Sequence, residues 1–297
     1  LESAVDPASL VSETWTRSAI KAASDPDAVS EIQTLVDRKW LKRFSSKFQA
    51  KRFARGRLII SELILLKKEK KMKDKKGKVM VKVKKRLLLN LKKSGITAAS
   101  VKTERPELPR VLDLVFQVLE LLRHRRSSHH WVRLLVLDFT HAFFNYPTRP
   151  DERRYFAARL GQHVLMWLRA PQGSRGAPLI CGRALAMAMR MATATVERGV
   201  VNAATYVDDP IMSIVGDSAS QDLAVCKIVG SILAMGYTLA FAKAQDSDVD
   251  LEVTWTSARI QVLYDELAVR VEVKAEILAE LSDGIDEVFL GNAVAVD

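Results

Sequence analysis

The chain has 297 residues, 48% hydrophobic and 27% charged, with 46 Lys and Arg against 35 Asp and Glu for a net charge of +11. That length and balance can bury a large core in one or two domains, and no apolar run reaches the roughly 18 residues of a membrane-spanning helix. The charge is concentrated: 23 of the 46 basic residues lie between Arg38 and Lys93, against Glu62, Glu69 and Asp74. Such density points to a polyanion partner, nucleic acid ahead of membrane.

The chain opens on Leu1 rather than Met and shows no signal pattern. A fragment or processed piece of a longer product is expected, in an intracellular compartment, cytoplasmic or nuclear. Cys181 and Cys226 stand far apart in apolar surroundings and read as buried small hydrophobes without a disulfide.

Residues 1–29 read as a weakly ordered N-terminal segment punctuated by Asp6-Pro7 and Asp25-Pro26. From Ser30, a fitting N-cap, the spacing of Ile32, Leu35, Val36, Trp40, Leu41 and Phe44 predicts a helix. Residues 58–66 predict a strand, 67–78 a lysine-rich turn ending in Lys76-Gly77, and Val79, Val81 and Val83 a returning strand. Together they make a long β-hairpin with a basic tip. Pro106 and Pro109 precede a helix over about 111–126, and 133–139 forms a buried strand carrying Asp138 near its end. Short strands at 155–159 and 163–168 flank Gly161, and the loop Pro171-Gln172-Gly173-Ser174-Arg175-Gly176 opens a helix to about 198.

Tyr206-Val207-Asp208-Asp209 lies between two apolar runs, which predicts a hairpin with the aspartates at its tip. Two adjacent carboxylates repel each other, so a cation between them is the physical reason to keep them. Hard oxygen ligands suit Mg²⁺, with Mn²⁺ as a substitute. A helix over 221–235 then ends at Gly236, strands are predicted at 237–241, 253–256, 259–263 and 267–273, and a last helix starts at Ala275. Hairpins interleaved with helices make the class α+β with a mainly antiparallel sheet. His129-His130 falls in a polar loop, and the five histidines match no zinc pattern.

Three stretches in this order resemble motifs A, B and C of reverse transcriptases: Leu137-Asp138-Phe139-Thr140-His141-Ala142-Phe143-Phe144, Pro171-Gln172-Gly173-Ser174-Arg175-Gly176-Ala177-Pro178, and Tyr206-Val207-Asp208-Asp209. Residues 86–92 with Ser94-Gly95 resemble the fingers strand, Gly236-Tyr237 through Lys243 motif D, and Val253-Thr254-Trp255 onward motif E. The resemblance covers roughly residues 30–290 and is nearest to retrotransposon polymerases of protist genomes. It implies a right-hand polymerase with an antiparallel palm sheet backed by helices. Fingers would occupy 30–130, with the basic hairpin at about 62–93. The palm would occupy 131–263, and 264–297 would hold a hairpin and the start of a truncated thumb or connection.

The same resemblance implies the activity and its residues. An RNA-directed DNA polymerase joins deoxynucleotides to a primer 3′-hydroxyl with two metals, which needs carboxylates from two separate strands. Asp138, Asp208 and Asp209 would be the metal ligands and, with Lys243 as proton donor to the leaving pyrophosphate, the catalytic residues. Phe143 would lie beneath the incoming sugar and exclude a 2′-hydroxyl, with one of the Phe143-Phe144 pair in the core. Gln172 and Gly173 would contact nucleotide and template, and Arg86 with Lys67 or Lys68, Lys68 taken as the candidate, would grip the triphosphate. Partners would be an RNA or DNA template with its primer and deoxynucleoside triphosphates, with no membrane.

Two departures from the family stand out. Asn90 replaces its usual Asp, and Pro210 directly follows the aspartates. A second function stays open: a catalytically inactive, nucleic-acid-binding relic of such a polymerase.

Overall fold

Two compact units share the chain, Leu1–Arg105 with His141–Cys181, and Pro106–Thr140 with Gly182–Asp297. The computed structural model describes residues 24–73, 79–100, 104, 107–125, 127, 129–273, 277–279 and 282. Residues 1–23, the hairpin tip at 74–78 and most of the segment from 274 onward, including the expected helix start at Ala275, lie outside the described residues.

The first unit begins earlier than Ser30. Helix α1 (Pro26–Asp37) is capped by Asp25, whose side chain accepts from the Asp27 N–H, and Pro26 is its first residue. Asp-Pro therefore starts a helix here, because proline's fixed φ suits the first turn and its missing N–H costs nothing there. Residues 26–29, expected to be weakly ordered, are helical. Trp40 to Phe44 does not continue the helix. Strand β1 (Leu41–Phe44) pairs instead with β6 (His163–Trp167). Helix α2 (Lys47–Ala54) follows, with Ser46 as N-cap.

The hairpin of β2 (Ile60–Lys73) and β3 (Val79–Asn90) is longer than expected, in unbroken register from Glu62↔Asn90 to Lys73↔Val79. Lysines 67 to 73 extend the strand rather than form a turn, since ladder bonds use backbone groups that lysine supplies like any residue but proline. Strand β5 (Ala157–Leu160) completes a five-stranded sheet in the order β1-β6-β5-β2-β3, antiparallel except where β5 meets β2. Its core gathers Ile32, Leu41, Leu63, Leu89, Leu165 and Trp167. Each such buried side chain contributes about 1.5–3 kcal/mol. The short helix α3 (Ile96–Ala99) closes the end of β3.

In the second unit, helix α4 (Val111–Arg123) precedes β4 (Trp131–Val136). From Gly182 onward, helix α5 (Ala177–Thr193) belongs here too, ending five residues before its expected limit. Strands β7 (Val201–Tyr206) and β8 (Asp209–Gly216), helix α6 (Ser218–Ala234) and strand β9 (Gln245–Asp246) give a sheet in the order β7-β8-β4-β9. One turn of helix, α7 (Ser247–Asp250), leads to a separate sheet of β10 (Val253–Trp255), β11 (Ala258–Leu263) and β12 (Ala268–Val273). The unit's core joins Leu114, Val118, Leu134, Ile211, Trp255 and Ile260.

Residues 237–241 are not a strand. Only Leu239 makes a bridge, to Phe139, before a 3-10 turn at Phe241–Lys243. Cys181 is buried as expected, but Cys226 is exposed on α6. Among the described residues no helix is long and apolar enough to cross a membrane.

Candidate active site and nucleic-acid interface

In the second unit, three backbone segments converge on Asp138. The Leu137 N–H donates to Pro210 O at 3.2 Å, which extends the β4–β8 pairing past the end of β4. On the other side the Ala240 N–H donates to Asp138 O and the Thr140 N–H to Thr238 O, at 2.9 and 2.8 Å. Asp138 thus leaves the sheet edge beside the start of β8, where Asp208 and Asp209 lie. Pro210 is tolerated because its missing N–H falls where β4 has already ended.

Asp208 lies in a two-residue hairpin loop, Val207-Asp208, and Asp209 begins β8 in the closing pair Tyr206↔Asp209. Val207 takes φ +57°, a left-handed backbone that a β-branched residue resists, so the turn stores strain of order 1–3 kcal/mol. Helix α5 supports it from Gly182, where a Cβ would touch Val207 Cα at 3.5 Å. Asp208 is half-buried and Asp209 exposed. The backbone of Asp209 is held from the other sheet: Trp255, 1% exposed, donates its indole N–H to Asp209 O at 2.9 Å. Trp255 is a positioning residue that sequence reasoning assigned no role. Its signal was the need of a buried indole N–H for an acceptor.

Asp138 already has a cation. Lys243 Nζ donates to both carboxylate oxygens at 2.8 Å, from a 3-10 turn closed by the Lys243 N–H to Ala240 O. Among the described residues, no group of three or more His, Cys, Asp or Glu side chains is gathered to hold a metal.

In the first unit the long ladder sorts its cations by face. Lys67 pairs with Asp27 at 2.7 Å and Asp25 at 3.2 Å, and Lys85 with Asp27 at 2.7 Å. These bonds hold both aspartate carboxyls below the usual range, Asp25 chiefly through Lys67 and Asp27 through Lys67 and then Lys85. Alternation along the strand puts Lys68 on the opposite face. Arg86, directly across from Leu66, shares that face, and both cations are exposed. Of the two lysines considered, Lys67 is engaged by helix α1 and Lys68 faces solvent.

Asn90 has a specific partner. Its amide donates to Glu62 Oε2 at 2.9 Å across the ladder and its carbonyl accepts the Lys93 N–H at 3.2 Å. An aspartate there would set two carboxylates face to face. Phe144 is the core member of its pair, 7% exposed and stacked on Trp40 with ring centroids 4.7 Å apart. Phe143 is half-buried on the same 3-10 turn.

The Gln172-Gly173 loop precedes α5. Gly173 has φ +97°, and a Cβ on it would lie 3.0 Å from Leu89 O. Only glycine fits, because the loop backbone runs against the end of β3. Arg175 pins the loop by donating to Thr97 O and Ser100 O, both at 3.1 Å. Gln172 is half-buried beside it.

These strand orders and helices define a reverse-transcriptase-like polymerase fold. The chain is similar in structure to a foamy viral protease-reverse transcriptase solved with double-stranded DNA, at TM-score 0.58 and 14% identity over 94% of this chain. It is also similar to a foamy viral protease-reverse transcriptase solved with an RNA/DNA hybrid, at TM-score 0.53 and 13% identity over 91% of this chain. The chain spans 40% of the length of the first and 28% of the second. No protein-family model and no curated protein matches it.

Proposed function

We propose that the chain is the RNA-directed DNA polymerase module of a retrotransposon, adding deoxynucleotides to a primer 3′-hydroxyl on an RNA or DNA template. The observation that carries this is the Leu137–Pro210 backbone bond, which aligns the strand end bearing Asp138 with the turn bearing Asp208 and Asp209. Those three carboxylates are the residues that would hold Mg²⁺, or Mn²⁺ in its place. Hard oxygen donors are the ligand chemistry such an ion takes, and in this structure the Lys243 ammonium holds the Asp138 carboxylate in place of a metal ion. An ion held by these carboxylates would supply Lewis acidity to the attacking hydroxyl and charge neutralisation to the triphosphate.

The chain's own residues have separate tasks. Lys243, released from Asp138, donates a proton to the leaving pyrophosphate. Arg86 and Lys68, on one ladder face, neutralise phosphate oxygens. Phe143 excludes a 2′-hydroxyl, and the Gln172-Gly173 loop contacts nucleotide and template. The foamy viral neighbours were solved on double-stranded DNA and an RNA/DNA hybrid, and a primed template is the matching partner here.

The test is primer extension on a primed RNA template with deoxynucleoside triphosphates and Mg²⁺. Template-directed extension is expected. A second function, the nucleic-acid-binding relic, is favoured by one observation: no three carboxylates are gathered among the described residues while Lys243 engages Asp138. Tight binding of the primed template without extension in Mg²⁺ or Mn²⁺ would establish the relic instead.

A further inference from the structure

The three-stranded sheet of the second unit has two edges, and they are finished differently. On β10 the outward backbone groups are taken: the Thr254 N–H donates to Gln245 Oε1 at 2.7 Å, and the Gln245 amide donates to Thr254 O at 3.0 Å. At the other edge all of β12 is paired with β11, and among the described residues no strand lies beyond it. Alternate residues of β12 therefore point their N–H and C=O groups outward, as donors and acceptors for a further strand. Its side chains are uncovered too. Val269, Val271 and Val273 lie on the face that carries the buried Ala258, Ile260 and Val262, yet Val271 is 39% and Val273 45% exposed. The devices that usually blunt an edge are missing, for β12 has no Pro, no Lys and no bulge in its register.

We infer that β12 pairs antiparallel with β12 of a second copy of this chain, in a register centred on Val271. The stretch Val269-Arg270-Val271-Glu272-Val273 is complementary in charge to its own reverse. In that register Arg270 faces the partner's Glu272, Glu272 faces the partner's Arg270, and Val269 faces the partner's Val273. Glu272, which already holds Arg259 of β11 at 3.3 Å, gains a second cation. Other alignments lose this match. A slip of one residue sets the valine face of one copy beside the charged face of the other. A slip of two sets Arg270 or Glu272 opposite itself, and a parallel alignment brings like charges side by side. An unrelated strand has no reason to carry the reversed pattern, whereas a second copy carries it by symmetry, and the two-fold closes at two chains. A contact along one six-residue strand falls short of the roughly 800 Å² per partner of a standard stable interface, so the pairing is reversible and concentration-dependent.

The test is sedimentation velocity of the full chain, without nucleic acid, over concentrations from about 1 to 200 μM, the range in which a small interface associates. A concentration-dependent monomer–dimer equilibrium is expected. Arg270→Glu and Glu272→Arg each set like charges opposite one another at both pairs, and each alone should weaken the dimer about tenfold or more. Mixed in equal amounts, the two variants are complementary again and should form a heterodimer as tight as the parent dimer. Both side chains are exposed, and thermal melts of the single variants near that of the parent confirm that the fold is kept. A parent chain that stays monomeric throughout overturns the inference. If its β12 amides are nonetheless protected from hydrogen exchange, the edge is covered by the chain itself. A dimer that survives both single variants undiminished overturns it in favour of another surface, and single variants that fail to associate when mixed overturn the register. The inference is independent of the polymerase chemistry: a chain that dimerises in this way without extending a primer keeps it while the polymerase assignment fails, and a strict monomer that extends primers does the reverse.

Discussion

The carboxylate end of the second unit and the cationic ladder of the first solve opposite problems of like-charge crowding. At Asp138, Asp208 and Asp209 the charges sit at strand ends and on a strained turn, fixed by neighbouring backbone and by Trp255 rather than by their own packing. Their backbone is therefore placed by bonds that do not use their carboxylates. In the β2–β3 ladder the cations run along the element, and part of their repulsion is offset by Asp25 and Asp27 at the start of helix α1. There, charge and structure are linked. Substitution should uncouple chemistry from fold in the first region and couple them in the second.

The largest expected effect breaks the carboxylate end. If the polymerase assignment holds, Asp208→Asn should lower primer extension a thousandfold or more, about 4 kcal/mol of transition-state stabilisation. The thermal midpoint should stay level or rise, since one of two adjacent like charges is removed while the turn backbone keeps its bonds. Full extension activity in the variant would end the metal-ligand assignment. A collapsed melt would show instead that this region, too, depends on its charges.

Next in size is the contrast between two neighbouring phenylalanines. Phe144→Ala should destabilise the protein by about 3–5 kcal/mol, because it removes a buried ring stacked on Trp40. Phe143→Ala should cost much less stability, and under the polymerase assignment it should shift the ratio of kcat/KM for deoxy- and ribonucleotides by roughly 10- to 100-fold. Denaturant unfolding and nucleotide competition separate the two. An unchanged ratio means that another residue chooses the sugar.

That pair also shows what the sequence could and could not announce. The Asp208-Asp209 turn, the strand before Asp138 and the glycine loop at 172–173 were legible because each rests on a short-range pattern: an apolar run, a turn residue, a run again. One aromatic of Phe143-Phe144 was expected in the core, but which one depends on Trp40, a hundred residues away. The lysine run looked like a turn because like charges are usually solvated, yet its backbone is paired to Lys73. Asp25-Pro26 looked like loop punctuation, whereas Asp25 caps α1 and pairs with Lys67. The two units are each assembled from separated pieces of chain by strand pairing, which leaves no local signature.

A smaller effect is expected at Arg133, which links β4 to β9 and α6. It donates from Nε to Asp246 Oδ1 at 2.8 Å and from Nη1 to Asp222 at 2.7 Å, and its side chain is only 11% exposed. Burial alone would raise the Asp246 carboxyl, but the Arg133 guanidinium and the Asp248 N–H outweigh it and the pKa is lowered. A depressed carboxylate contributes stability above its unfolded pKa of about 3.9 and loses it as pH falls through the folded value. Asp246→Asn should therefore cost about 2 kcal/mol at pH 7, and the gap to the parent should close as the solution is taken below pH ~4. A gap that persists undiminished at low pH would assign the cost to packing instead of charge.

The smallest effect tests the ladder itself. Asn90 faces Glu62 directly, donates to its carboxylate and accepts from the Lys93 backbone, while the Lys93 ammonium stands 3.6 Å from the same Glu62. The substitution Asn90→Asp keeps the acceptor for the Lys93 N–H but turns the donor to Glu62 into a second carboxylate. Like charges directly opposite on paired strands are unfavourable by a few tenths to about 1 kcal/mol, and Lys93, 46% exposed, screens only part of that. The thermal midpoint should fall by a few degrees at pH 7. The loss should shrink near pH 4, where one proton shared between the two carboxyls restores the missing donor. Glu62→Gln in the Asn90→Asp background supplies that donor at neutral pH and should recover the midpoint. If Asn90→Asp melts like the parent at pH 7, the ladder tolerates charge as freely as the strand ends do, and the contrast between the two regions disappears.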